Sequence, residues 1–173
     1  ASFGTEEVSN QTMLHFLVCS RKFVYHDKMI KNGGWSRDHL APMGHIVGET
    51  FGIIGLGNIG RTVARKALAF GMNVIAYDPF LTADRASKLE VESVSLVELF
   101  ERSLVVSNHT PDLETTRGTL TATHFEAMRD GATFINSGRG AQVVEEDLVR
   151  VLSTRPDLTA LLDVTLPEPP PAD

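Results

Sequence analysis

The feature that most constrains the fold is a glycine-rich hexapeptide, Gly55-Leu56-Gly57-Asn58-Ile59-Gly60, set between two apolar stretches. A short apolar run, 51–54, precedes it, and a pattern of helical period runs from 59 to 70 behind it. A second apolar run, 74–77, follows before the chain reaches Asp78. Glycines at this spacing, directly after a strand and directly before a helix, are typical of a tight turn in a parallel sheet. Residues 51–77 are therefore predicted to form a strand, a helix and a second strand.

The rest of the chain continues this alternation of short apolar runs and helical segments. Further strands are predicted at 104–106, 133–135 and 159–162, and helices at 96–102, 121–128 and 145–153. Continuous apolar runs are typical of strands buried on both faces, and parallel neighbours require helical crossovers. The sequence therefore predicts an α/β fold of the Rossmann type, a doubly wound parallel sheet with helices on both faces.

The two ends of the chain are predicted to differ from this alternating region. Apolar residues recur at three- and four-residue steps from Thr5 to about Lys31, which predicts one long first helix within residues 1–34. Residues 167–173 form a proline-rich terminal segment that continues neither a strand nor a helix. With 173 residues in all, the chain is expected to form a single domain.

Composition narrows the class of partner. The 16 basic and 22 acidic residues give a formal net charge of −6, and no basic run exceeds Arg21-Lys22, which argues against nucleic acid or an anionic membrane. The single Cys19 cannot form an internal disulfide, and no Cys and His residues stand at zinc spacing, so no metal site is predicted. No apolar stretch reaches membrane-spanning length, and the N-terminus lacks a signal-peptide pattern. A cytoplasmic protein with a small-molecule partner is expected.

The glycine-rich turn also suggests a ligand. Gly55 permits the tight turn, Gly57 lets the backbone approach a pyrophosphate, and Gly60 allows the helix to pack closely on the strand. Asp78, 18 positions after Gly60, stands near the distance expected for a carboxylate that binds ribose hydroxyls, which disfavours the 2′-phosphate of NADP. Two alternatives fit the same pattern: a tight turn that binds no ligand, and a methyltransferase, whose cofactor also carries an adenosine ribose.

Three polar segments follow apolar runs further along the chain: Asn108-His109-Thr110-Pro111, Asn136-Ser137-Gly138-Arg139-Gly140 and 163–168. Because parallel strands end at one edge of the sheet, where open α/β folds bind ligands, these segments are expected to lie at that ligand-binding edge. Arg139 suggests a site for a ligand carboxylate, since a planar guanidinium binds a carboxylate through two hydrogen bonds. Arg139 between two glycines, and Glu168 in a proline-rich tail, are also compatible with ordinary solvated surface residues.

The order and spacing of these motifs resemble the D-isomer-specific 2-hydroxyacid dehydrogenase family. Its coenzyme domain carries a glycine-rich turn, an acid after the second strand, His-Thr-Pro, a small-residue-Arg-Gly motif and Asp-x-x-x-x-Glu-Pro, and the likeness runs from about Glu7 to Pro169. The resemblance implies an NAD-dependent enzyme that transfers a hydride between C4 of nicotinamide and C2 of a 2-oxo or 2-hydroxy acid. It implies that Arg139 binds the substrate carboxylate and polarises its carbonyl, while Glu168 holds and tunes an acid/base histidine.

Motif and resemblance together give a set of expected NAD-binding residues. They are Gly55, Gly57, Asn58, Ile59, Gly60, Asp78, His109, Thr110, Pro111, Ser137, Gly138, Arg139 and Asp163.

The sequence departs from the family pattern in several respects. The family's catalytic histidine lies in a Thr-Pro-His segment beyond the Glu-Pro stretch, and the chain ends at Asp173 before one, so the proton donor is expected to be missing. Neither His109 nor His124 is predicted to replace it. The family's substrate-binding domain is also expected to be absent, and the lack of an initiator Met suggests a processed or excised piece. Asn10 stands where many relatives carry an acid, which suggests a divergent branch.

The resemblance also implies a homodimer formed through the coenzyme domains, with the first helix and the Trp35 region near the interface. Packing of Phe16, Phe23 and Trp35 within their own chain would explain these residues equally well. Besides the dehydrogenase, two functions stay open on the sequence alone. One is an NAD-sensing module like the transcriptional corepressor of this architecture, and the other is a methyltransferase.

Overall fold

The computed structural model describes residues 4–35 and 43–170. Six strands in these ranges form one sheet in the order β3-β2-β1-β4-β5-β6, and every neighbouring pair is parallel. The strands are β1 (Thr50–Ile54), β2 (Asn73–Tyr77), β3 (Glu92–Ser93), β4 (Val105–Asn108), β5 (Thr133–Asn136) and β6 (Thr159–Leu162). The order reverses at β1, with β2 on one side and β4 on the other. The predicted doubly wound α/β fold is therefore confirmed.

Helices cover both faces of the sheet, as the burial of continuous apolar strands requires. In the described ranges they are α1 (Thr5–Ser20), α2 (Phe23–Lys31), α3 (Asn58–Ala69), α4 (Ala83–Lys88), α5 (Leu96–Arg102), α6 (Ala122–Glu126) and α7 (Glu145–Thr154). Side chains of α1, α3 and α4 contribute to one apolar cluster, and those of α5, α6 and α7 to a second. The sheet thus separates two apolar layers.

Most of the predicted elements are confirmed within a few residues. The strand predicted at 159–162 and the helix predicted at 96–102 have the predicted bounds, whereas α6 ends at Glu126 instead of 128. Two short elements, α4 and β3, were not predicted. Both residues of β3 are exposed and only Ala86 of α4 is buried, so neither element has an apolar pattern that could indicate it.

The prediction of one long first helix is wrong. The chain forms α1 and α2, which are separated by Arg21 and Lys22, and Lys22 adopts a left-handed conformation with φ 51°. Helix α1 buries one face in the core, while α2 has no buried residue. The apolar residues of the two segments therefore belong to different surfaces, although their spacing along the sequence is continuous.

Helix α1 is anchored to α3 by a lysine as well as by apolar contacts. Lys66 Nζ on α3 donates to Glu6 Oε2 at 3.0 Å, Ser9 Oγ at 2.6 Å and Asn10 Oδ1 at 2.7 Å. Asn10 thus serves as a hydrogen-bond acceptor for the cation. The anchoring matters for the site because α1 also contacts the loop after β5, through Thr12.

The C-terminal segment after β6 runs on without regular structure. Leu166 N donates to Glu145 Oε1 of α7 at 2.7 Å, which ties the segment to the helix. Residues 167–170 form neither a strand nor a helix, and residues 171–173 lie outside the described ranges. Within the described part of the chain, no helix has the length and apolar character needed to cross a lipid bilayer.

Candidate coenzyme-binding site

A cleft of about 730 Å³ opens at the point where the strand order reverses. It is lined by Gly55 and Gly57 after β1, by Asp78 and Phe80 after β2, and by residues 109–111 after β4. These segments meet because parallel strands end at the same edge of the sheet. The cleft therefore brings together the glycine-rich turn, the acid after the second strand and the His-Thr-Pro segment.

The three glycines of the turn have different structural roles. Gly55 has φ +87°, a conformation that L-residues rarely adopt, and its N–H donates to Tyr77 O at 2.9 Å. A Cβ on Gly60 would overlap the carbonyl oxygen of Gly55, whereas a Cβ on Gly57 would meet no atom within 4 Å. The fold therefore explains why positions 55 and 60 are glycine. It does not explain the glycine at position 57, where a Cβ would face open space.

Helix α3 begins at this open position without a side-chain cap. The first turn of a helix presents N–H groups that have no intrahelical partner, and such groups bind anions. Arg61 Nη2 donates to Asn58 Oδ1 at 2.6 Å and so fixes the side chain of the first helical residue. The turn thus presents backbone donors beside a glycine that leaves room for a ligand.

Asp78 is held in place by two backbone amides. Its Oδ2 accepts a hydrogen bond from Leu56 N in the glycine-rich turn, and its Oδ1 accepts one from Phe80 N, both at 2.8 Å. A carboxylate oxygen accepts more than one hydrogen bond, so both oxygens retain capacity toward the cleft. The contact with Leu56, which the sequence did not predict, fixes the carboxylate relative to the turn.

His109 lines the cleft and is partly buried. Its Nε2 lies 2.9 Å from Ser107 Oγ and its Nδ1 lies 3.1 Å from Ser137 Oγ, and Ser137 Oγ lies 3.2 Å from Thr12 Oγ1 of α1. Burial lowers the pKa of His109 to about 4. At neutral pH the ring is therefore uncharged and links the loops after β4 and β5 through hydroxyl groups.

This lowered pKa predicts a loss of stability in acid. Between the ordinary pKa of 6.5 and about 4 the unfolded chain binds the His109 proton and the folded chain does not, so the free energy of unfolding decreases as the pH falls. Because the ring is partly exposed, we expect His109 to account for about 1–2 kcal/mol of this decrease. Urea denaturation of the wild type and of His109→Gln at pH 7 and pH 4.5 measures it. An equal loss in both proteins would contradict the prediction.

Arg139 lies in the loop after β5, exposed and outside the cleft lining. Its Nη1 donates to Gly138 O at 2.7 Å, and no carboxylate in residues 4–35 or 43–170 forms an ion pair with it. The remaining N–H groups of the guanidinium are thus available to a ligand. An exposed position is also what an ordinary surface arginine, the alternative left open by the sequence, would have. The structure by itself does not show that Arg139 binds a substrate.

The C-terminal candidates are less closely connected to the cleft. Asp163 is exposed after β6, and its N–H donates to Asn136 O at 3.0 Å. Glu168 is exposed, and it forms no hydrogen bond or ion pair within the described ranges. His124 lies on α6, where Thr121 N donates to its Nδ1 at 3.2 Å, and it does not line the cleft. The structure therefore does not bring Glu168 together with Arg139 through any such contact.

A buried amide cluster near the site was not assigned a role from the sequence. Asn108 and Asn136 end β4 and β5, and Gln142 follows the Arg139 loop; all three are at most 1% exposed. The polar ends of two apolar runs could have indicated the first two residues, but no pattern marks Gln142. Across the described ranges, no group of three or more Cys, His, Asp or Glu side chains is placed to hold a metal ion.

Comparison with known proteins identifies the chain. The model of the D-isomer specific 2-hydroxyacid dehydrogenase NAD-binding domain matches residues 13–173. The chain belongs to this family. It is 36% identical over 170 residues to D-3-phosphoglycerate dehydrogenase of Archaeoglobus fulgidus and 38% identical over 163 residues to hydroxypyruvate reductase of Thermotoga maritima.

The matches cover nearly all of this NAD-binding domain but only part of its relatives. The chain is matched over 98% and 94% of its length and spans 32% and 52% of those two enzymes. The crystal structure of D-lactate dehydrogenase from Aquifex aeolicus, complexed with NAD and lactic acid, aligns with a TM-score of 0.87 at 30% identity. That alignment covers 95% of this chain and 49% of the other.

The residues of this NAD-binding domain fit its coenzyme. Gly57 leaves open space at the uncapped start of α3, where a pyrophosphate needs backbone donors. Asp78 presents a fixed carboxylate across the same cleft, where a ribose needs an acceptor for its hydroxyls. The chemistry of the donors and acceptors therefore agrees with the family.

Proposed function

We propose that this NAD-binding domain serves an oxidoreductase that transfers a hydride between nicotinamide and C2 of a 2-oxo or 2-hydroxy acid. The observation that carries the proposal is the cleft where the strand order reverses, in which the open turn at Gly57 and the fixed carboxylate of Asp78 share one space. Membership of the family supports the class of reaction. When bound, NAD supplies the hydride acceptor or donor, and the chain's own residues bind and orient the reactants.

We assign the proposed coenzyme contacts by the position of each segment at the carboxyl edge of the sheet and by the likeness to the family. The glycine-rich turn, with the N–H groups of Asn58 and Ile59, binds the pyrophosphate, and Asp78 accepts hydrogen bonds from the adenosine ribose. The segments 109–111 and 137–139 lie beside the nicotinamide half. Asp163, at the end of β6, accepts a hydrogen bond from the carboxamide. The carboxylate of Asp78 also disfavours NADP, because it repels a 2′-phosphate.

The proposed catalytic role of this chain centres on Arg139. Its free N–H groups bind the substrate carboxylate in bidentate geometry and stabilise negative charge on the carbonyl oxygen as the hydride is transferred. Glu168 orients the acid/base histidine that the Thr-Pro-His segment of the family supplies in the full-length protein, and stabilises its protonated form. Turnover requires a substrate-binding domain that closes over the cleft and excludes water, which is an activity of the full-length protein.

Replacing Asp78 with alanine tests the coenzyme assignment. We expect the Kd for NADH to rise at least about fivefold, a loss of about 1 kcal/mol, because charge-assisted hydrogen bonds to the ribose are removed. Discrimination against NADPH should fall in the same variant. Fluorescence titration of the 173-residue chain with NADH and NADPH gives both values.

Asp84→Ala is the matched control for this titration. Asp84 is an exposed carboxylate that pairs with Lys88 within α4, so its loss should leave the affinity for NADH unchanged. Unchanged affinity in Asp78→Ala, with an intact fold, would remove Asp78 from the site. Tighter binding of S-adenosylmethionine than of NADH by the wild type would contradict the proposed function itself.

We also propose that the full-length protein is a cytoplasmic homodimer. Helix α2 has no buried residue and leaves Phe23 62% exposed, and Trp35 beyond it is 88% exposed. Large apolar side chains left in water favour burial against a partner. Phe16 is fully buried in its own chain and takes no part in this surface. Sedimentation velocity of the wild type and of Trp35→Ser measures the assembly.

The cytoplasmic location is proposed on a different ground. A single Cys19 suits a reducing compartment.

A further inference from the structure

The buried amide cluster joins the ends of β4 and β5. Asn108 Nδ2 donates to Asn136 Oδ1 and to Gln142 Oε1, both at 2.9 Å. All three side chains are almost completely removed from solvent. Buried amides are costly unless they are hydrogen-bonded, and a connected network of them has one strongly preferred geometry. The cluster is therefore suited to fixing the position of the segments that it contacts.

The cluster contacts both loops to which the proposed function assigns ligand contacts. Gln142 Oε1 accepts a hydrogen bond from Arg139 N at 2.9 Å, and Gln142 Nε2 donates to Pro111 O at 2.9 Å. Asn136 Nδ2 donates to Arg139 O at 3.0 Å. The backbone of Arg139 is thus held at both its N–H and its carbonyl group by buried amide side chains.

Gln142 is the member that connects the two loops directly. Its oxygen bonds the loop of Arg139 and its nitrogen bonds the loop of Pro111, which lines the cleft. A Cβ on Gly138 would lie 2.9 Å from Asn108 Nδ2 and 3.1 Å from Gln142 Oε1, so the Arg139 loop is packed directly against the cluster. Loss of Gln142 would separate the two loops without removing any proposed ligand contact.

We propose that Gln142 is a positioning residue that fixes the Arg139 loop relative to the coenzyme loop at Pro111. The inference rests on the proposed function, in which Arg139 holds the substrate. Hydride transfer requires the two carbon atoms to approach within about 3–3.5 Å, so a small displacement of one loop relative to the other lowers the rate. Gln142 acts on the reaction through Arg139 and touches neither reactant.

Gln142→Met tests this role, because methionine has a similar length and forms none of the three hydrogen bonds. The matched control is Val151→Ala, which opens space in the core beside α7 and leaves the amide cluster intact. In the 173-residue chain without coenzyme, hydrogen exchange by NMR should show the Arg139 amide protected at least about tenfold less in Gln142→Met, relative to the Ile53 amide. In Val151→Ala, the protection of the Arg139 amide relative to the Ile53 amide should stay within about threefold of wild type.

Steady-state kinetics of the full-length protein provide the second measurement. Gln142→Met should lower kcat for a 2-oxo acid at least about tenfold and leave the Kd for NADH within about threefold of wild type. Val151→Ala should change kcat less than about threefold. An Arg139 amide that stays protected in Gln142→Met, or an equal loss of kcat in the two variants, would overturn the proposal.

A third variant keeps the test decisive if Gln142→Met does not fold. Gln142→Glu keeps the length of the side chain, and a carboxyl group at this fully buried position stays protonated, so it can accept from Arg139 N–H and donate to Pro111 O. Protection of the Arg139 amide should therefore be retained in Gln142→Glu; its loss would contradict the proposal. A wild-type protein that turns over no 2-oxo acid would refute the proposed function and with it this catalytic role. The exchange result would still show whether Gln142 holds the loop, so the two failures are distinguishable.

Discussion

Replacing Arg139 with lysine is expected to lower kcat/KM of the full-length protein about 100-fold, equivalent to about 2.7 kcal/mol of transition-state stabilisation. A lysine ammonium is a point charge and cannot form the two parallel hydrogen bonds of a guanidinium to a carboxylate. The substitution keeps the positive charge, so the loss measures geometry and not net charge. Steady-state kinetics with a 2-oxo acid and NADH provide the measurement, and NADH affinity should change less than about threefold.

Arg150→Lys is the matched control for this substitution. Arg150 is an exposed arginine on α7 whose partners are Glu126 and Asp147, and it contributes nothing to the cleft. Its replacement should leave kcat/KM within about twofold of wild type, as expected for an exposed ion pair. Near-normal turnover in Arg139→Lys would show that Arg139 is the solvated loop arginine that its exposure alone would suggest.

The second large effect concerns two glycines of the same turn, Gly60 and Gly57, which are expected to have different roles. Gly60→Ala is expected to lower the free energy of unfolding by about 1–3 kcal/mol, because the new Cβ overlaps the carbonyl oxygen of Gly55 and lies 3.3 Å from Ile53 Cγ2. Backbone must move to relieve this overlap, since the turn is held to β2 by the hydrogen bond from Gly55 N to Tyr77 O. Urea denaturation of the chain without coenzyme measures the loss.

Gly57→Ala is expected to show the opposite behaviour. Its Cβ meets no atom within 4 Å and its φ of −67° suits any L-residue, so the free energy of unfolding should stay within about 0.5 kcal/mol of wild type. The same Cβ stands in the space that we assign to the pyrophosphate, so the Kd for NADH should rise about tenfold. Unchanged NADH affinity in Gly57→Ala, or unchanged stability in Gly60→Ala, would contradict these different roles.

The local pattern of the sequence was sufficient to predict most of the fold. Continuous apolar runs such as 159–162 mark buried strands because burial on both faces allows few polar side chains. The glycine-rich hexapeptide indicated the strand-to-helix turn, and the spacing to Asp78 placed an acid beside it. Each of these predictions depends on residues that are close together in the chain, or on the rule that parallel strands end at one edge.

Four features were decided only by tertiary contacts. Helix α1 ends at Ser20 and buries one face, whereas α2 buries no residue, and the continuous apolar spacing does not reveal this break at Arg21 and Lys22. The hydrogen bond from Leu56 N to Asp78 and the contact of Ser137 with His109 join residues that are 22 and 28 positions apart. The amide of Gln142 bonds Pro111 from 31 positions away.

The difference between what the sequence predicted and what the tertiary contacts decided has one physical origin. Burial of an apolar face requires only a pattern that repeats along the chain, and therefore the sequence by itself determined the strands, most of the helices and the glycine-rich turn of this NAD-binding domain. A hydrogen bond between two loops requires a donor and an acceptor about 3 Å apart in a fixed direction. The register and twist of the whole sheet set that distance, and therefore only the tertiary structure decided which side chains hold Asp78, His109 and Arg139 in place.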